Sequence, residues 1–66
     1  MSMSGWHWVL HAADGNDVRA TEEFDSKENA EAWMGTEWAT LLDEGAETVS
    51  LMHEGKVEYR MGLRPG

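Results

Sequence analysis

Sixty-six residues can close only one hydrophobic core, and a chain this short buries only about 60% of its unfolded surface. Thirteen Asp and Glu against five Lys and Arg give a formal charge of −8, which disfavours a phosphate-tracking nucleic-acid binder and docking on anionic membranes. The absence of cysteine excludes disulfides and thiolate metal sites together.

Residues 1–4 read as a disordered or tag-like start, with Met3 a candidate for the original first residue. Met1 to Gly5 lack the basic start and apolar stretch of a secretory signal. No run approaches the roughly 20 apolar residues that a membrane helix needs. The cytoplasm is the expected location, and residues 1–66 the expected single domain.

Gly5 to Ala12 alternates in character, placing Trp6, Trp8, Leu10 and Ala12 on one face and His7, Val9 and His11 on the other. Asp14-Gly15-Asn16 signals a turn. Val18 to Phe24 reads as a second strand with Val18, Ala20, Glu22 and Phe24 on one side, Glu22 falling at the rim near Trp6. Parity then sets the loop as Ala13-Asp14-Gly15, a type I turn with Gly15 left-handed as a bulge. That register puts Leu10 opposite Val18, Trp8 opposite Ala20 and His11 opposite Asp17.

A helix is expected from Asp25 or Ser26, each a good cap, with Glu28 three residues after Asp25. Its apolar stripe runs Ala30, Met34, Trp38 and Leu41, with Trp33 and Leu42 at the margins. Gly45 is a natural stop. Gly35 costs about 1 kcal/mol relative to alanine inside a helix, so it marks a bend or a close approach to the sheet. Asp43 and Glu44 sit at the unfavourable negative end of the helix dipole.

Val49 and Leu51 are expected to share a face with Val57, Tyr59 and Met61. A loop His53-Glu54-Gly55 gives that register, pairing Leu51 with Val57 and Val49 with Tyr59. Thr48, Ser50 and Met52 then lie opposite Arg60, Glu58 and Lys56. Arg64-Pro65-Gly66 reads as a tail.

The order hairpin, helix, hairpin defines an α+β domain of ββαββ type. A right-handed crossover sets strand three beside strand one. The expected sheet is four-stranded and antiparallel in the order 2-1-3-4, with the helix on one face, and 1-2-4-3 is the alternative order. Four tryptophans are expected mostly in the core, each covering roughly 150–250 Å². Trp33, at the stripe's edge, is a candidate anchor for a partner.

Chemistry is sparsely signalled. His7 and His11 lie four residues apart on a strand, roughly 13 Å between backbones, too far for one metal ion to take both unaided. Glu22 and Glu23 point to opposite faces, and Glu28 and Glu31 lie on an exposed helical face. No Ser-His-Asp constellation can be nominated, the Asp14 turn is too short for a calcium loop, and no glycine-rich phosphate loop is present. No cofactor or metal is expected, and the chain reads as a non-enzyme.

The open sheet face is the candidate interaction surface. The register above gives it His7, Val9, His11, Arg19, Thr21, Thr48, Ser50, Met52, Lys56, Glu58 and Arg60, with Val9 and Met52 as its apolar centre. Arg19, Lys56 and Arg60 bring three of the five basic residues there. Base stacking would require exposed aromatics, which this face lacks.

The run Trp6-His7-Trp8-Val9-Leu10 with Asp14-Gly15-Asn16, followed by Thr21-Glu22-Glu23-Phe24-Asp25-Ser26 and Ala30-Glu31-Ala32-Trp33, resembles short uncharacterised single-domain proteins of actinobacterial type. The resemblance spans nearly the whole chain, implies a cytoplasmic bacterial protein and transfers no catalytic residue. A fainter similarity is to small bacterial domains that repeat a hairpin-helix-strand unit. The expected function is a non-enzymatic protein-interaction module, binding a protein partner or itself as a homodimer, with no direct nucleic-acid binding. The alternative is an acidic inhibitor or nucleic-acid mimic that meets a basic groove through its helix side.

Overall fold

Alternating large apolar residues make Trp6–Ala12 a strand, β1, whose inward positions Trp8 and Leu10 are both fully buried. In the computed structural model, which describes residues 5–63, β1 is followed by β2 (Asp17–Ala20), α1 (Lys27–Asp43), β3 (Ala46–His53) and β4 (Lys56–Gly62). The expected tag-like start at 1–4 and the tail at 64–66 lie outside the described residues. The four strands form one antiparallel sheet in the order β2-β1-β3-β4, with β1 and β3 central. This is the ββαββ architecture and strand order favoured by the right-handed crossover.

The first turn follows the sequence closely. Gly15 N–H donates to Ala12 O (3.0 Å), Ala12 N–H donates to Asn16 O (2.7 Å), and Gly15 has φ +92°. His11 lies opposite Asp17, as the loop requires. One residue further the expected register fails, because a bulge between Leu10 and His11 sets Leu10 opposite Arg19 and Val9 opposite Ala20. A bulge adds one residue to one strand, so every later side chain of β2 changes face.

β2 also stops sooner than the alternation suggests. The Thr21 hydroxyl accepts the Trp8 N–H (3.0 Å), while Thr21 N–H donates to Trp8 O (2.9 Å). One residue thereby satisfies both backbone groups of Trp8, and the chain peels away from the ladder. Glu22 and Glu23 are exposed, so Glu22 does not line the apolar rim. Phe24 rejoins at a single bridge to Trp6, its N–H donating to Trp6 O (2.6 Å).

Ser26 caps α1, its hydroxyl accepting the Asn29 N–H (3.1 Å), a contact worth about 1 kcal/mol. Gly45, at φ +102°, ends the helix and donates to Leu42 O. Ala30, Met34 and Leu41 are buried against the sheet. Trp38, expected in the same stripe, is 43% exposed. The buried Trp8 indole donates Nε1–H to Ala30 O (2.9 Å), which pins the first half of α1 over the sheet centre. Trp33 is half-buried, its ring 5.6 Å from that of Phe24.

The second hairpin departs from its expected loop. His53 pairs with Lys56, leaving a two-residue turn in which Glu54 and Gly55 both have positive φ, 54° and 81°. That is the type I′ signature, whose twist suits tightly coupled strands. A bulge between Leu51 and Met52 follows, so Leu51 pairs with Tyr59, Val49 with Met61 and Met52 with Val57. Leu51, Val49, Tyr59 and Met61 keep a common face, but Val57 moves to the other. The core comprises Trp8, Leu10, Ala30, Met34, Leu41, Ala46, Val49, Leu51 and Leu63, where each large aliphatic residue contributes roughly 1.5–3 kcal/mol by burial.

Candidate functional site

The bulge in the first hairpin and the shorter turn of the second redraw the open face. Arg19, expected there, lies on the helix side, where Nε donates to Glu44 Oε1 (2.8 Å) and Nη2 to Glu44 Oε2 (3.2 Å). The guanidinium holds the Glu44 carboxyl below its usual range, chiefly through that hydrogen bond, and so offsets the charge at the dipole's negative end. Lys56 also leaves the open face. It pairs with His53, whose ring stacks on Trp6 at 3.9 Å and 9° on the side that carries the core. Val57 arrives instead, opposite Met52 and 52% exposed.

What remains on the open face separates into two ends. At one, His7, Met52 and Val57 form a row across three strands, flanked by Val9 and Ala20. His7 Nδ1 is buried there with no hydrogen-bond partner among the described residues. At the other end lies a polar chain that sequence spacing does not disclose. Asp17 Oδ1 lies 2.9 Å from His11 Nδ1, His11 Nε2 lies 2.8 Å from Ser50 Oγ, and Arg60 Nε donates to Ser50 Oγ (3.2 Å).

This is a Ser-His-Asp constellation, contrary to the sequence-level expectation that none can be nominated. The three residues are drawn from β1, β2 and β3, and only the strand order sets them in line. Arg60 can donate but not accept, so with neutral His11 the Ser50 hydroxyl donates to Nε2 and Nδ1–H faces Asp17. That is the proton arrangement of a nucleophilic triad. Its setting is different: Ser50 is 1% exposed, leaving a carbonyl carbon no approach to Oγ. With Arg60 of β4, this polar chain satisfies a buried hydroxyl and ties all four strands together, work that needs no substrate.

The helix side holds the second feature. α1 crosses β1 and β3 and leaves β4 uncovered, and between α1 and β4 lies a groove of about 350 Å³. Trp8, Met34, Trp38, Tyr59, Met61 and Leu63 supply its apolar walls, and Glu31, Gly35 and Gly62 complete it. The Tyr59 hydroxyl donates to Glu31 Oε2 (2.6 Å), and Lys27 Nζ stands 5.6 Å from the centre of the Tyr59 ring. Burial first, and Glu31 second, push the Tyr59 phenol up to about 12. The sequence signal for this groove was Gly35 together with the period that carried Trp38 toward the sheet.

Among the described residues, no group of three His, Cys, Asp or Glu could hold a metal ion. Comparisons with protein-family models, curated proteins and solved structures return no match for this chain.

Proposed function

We propose that this chain is a small non-enzymatic protein-interaction module that self-associates through the open face of its sheet. The observation that carries the reading is the apolar group Met52, Val57 and Val9 around His7, on the face opposite the helix. Isolated surface apolar residues need no explanation, but a contiguous set rimmed by polar groups marks a contact site. Asp17 and Arg60 supply the polar groups of the same face, and their opposite charges would fix the register of a partner. A bacterial cytoplasmic setting belongs to the same proposal, and no described helix is long and apolar enough to cross a membrane.

Light scattering across protein concentration, at low and high salt, tests it. A mass above the monomer's 7.4 kDa that survives salt and collapses in Met52→Glu and Val57→Glu is the expected result. Dimers that persist in both variants would remove the open face from consideration. The second reading, an acidic inhibitor acting through the helix side, is favoured by exposed Glu28, Glu31 and Asp43 on α1. It expects binding to a basic protein that weakens steeply with salt and is abolished by reversing the charges of Glu28 and Glu31.

A further inference from the structure

We propose that the groove between α1 and β4 is a binding site for a small aromatic or branched aliphatic molecule that carries one positive charge, an organic ammonium ion. Its volume, about 350 Å³, lies at the low end of small-molecule sites. Its walls are apolar and aromatic, and its one charged wall residue is Glu31. A ligand that filled it would bury an apolar body and bring its charge to a carboxylate. Aromatic rings facing the same space favour a cation over a neutral group, and the chain's own Lys27 already stands over Tyr59.

The second observation is independent of the lining chemistry. Gly35 is a helix-interior glycine that no backbone geometry requires, since its φ is not positive. No packing requires it either, because a Cβ there would meet nothing within 4 Å. The same holds for Gly62 on the opposite wall. Two glycines without a folding reason line one groove, from its helix and its strand side. Side chains at these positions would occupy the space that both glycines leave open.

The test is a titration of the full chain by heteronuclear NMR with phenethylamine, its neutral analogue 2-phenylethanol and the anion 3-phenylpropionate. Saturable shifts at the Gly35 and Gly62 amides and the Trp38 indole N–H are expected for phenethylamine. Binding of 2-phenylethanol should be at least several-fold weaker, and 3-phenylpropionate should leave these signals unmoved. Glu31→Gln should erase the preference for the amine, Lys27→Gln should tighten amine binding, and Gly35→Leu should abolish it with the helical circular dichroism retained. Non-saturable shifts with all three probes would overturn the site. Equal binding of amine and alcohol to the unaltered chain would overturn the charge assignment. Because the groove and the open sheet face share no residue, Met52→Glu and Val57→Glu should leave the titration unchanged whatever they do to self-association.

Discussion

Single residues decide which face the charges take. Arg19 reaches Glu44 because one extra residue in β2 turns its side chain to the helix side, and the exposed pair is worth little by itself. Its consequence is local, since an acidic helix end acquires a cation in a segment with no basic residue in its last turn. Tyr59 is the group whose titration reports its surroundings best, being the only tyrosine in the chain. Its pKa rises from 10.0 to about 12, from burial and then from Glu31. The neutral phenol is thus favoured in the folded state. Its stabilising contribution is complete below pH 10.0 and is lost as the pH rises toward about 12. A tyrosinate absorbance titration of the native chain should show a midpoint well above 10.0. Glu31→Gln should lower it part of the way, leaving the share due to burial. A native midpoint at the ordinary tyrosine value would contradict the Tyr59–Glu31 contact.

At the level of elements, α1 shows how a helix can be well specified at its ends and loosely specified in its middle. Ser26 and Gly45 set the boundaries through a cap and a positive φ, both readable in sequence. Gly35 weakens the interior without any steric return. Gly35→Ala is therefore expected to raise stability by about 1 kcal/mol, measured by urea unfolding followed by circular dichroism. A loss of stability would mean that the groove wall needs the glycine for packing. The strands behave differently. Side-chain alternation identifies β1, β3 and β4 and even the turn at Gly15, yet neither bulge leaves a mark in the pattern. The bulge in β2 instead shows in a contact made only in the folded chain, Arg19 with Glu44 at the end of α1. The shorter turn at Glu54-Gly55 places a non-glycine residue at positive φ, and residue preference argues against that choice.

For the whole molecule, the acidic excess is a persistent cost. A charge of −8 on 66 residues repels itself in the compact state. Raising ionic strength should screen that repulsion and raise the thermal midpoint, followed by circular dichroism at increasing salt. A midpoint that fell with salt would show that the exposed Arg19–Glu44 and histidine–carboxylate pairs outweigh the net repulsion. The two surfaces also belong to this scale. One helix over a four-stranded sheet covers the central strands and leaves both the far face and the β4 flank open, a matter of geometry more than of composition.

Sequence alone determined the number of strands, the single helix with its cap and stop, the first turn, and the inward set Trp8, Leu10, Val49 and Leu51. Those properties are local, or follow from a period of two or of 3.6 residues. It placed His7, Val9, His11, Met52 and Arg60 on the open face but misplaced Arg19, because a one-residue bulge reverses parity without altering composition, and Lys56, because a turn one residue shorter does the same. It could not reach the Asp17–His11–Ser50 chain or the groove of Trp38, Tyr59 and Gly35. Their members lie on separate strands or on a strand and a helix, and only the tertiary pairing of those elements sets the distances between them.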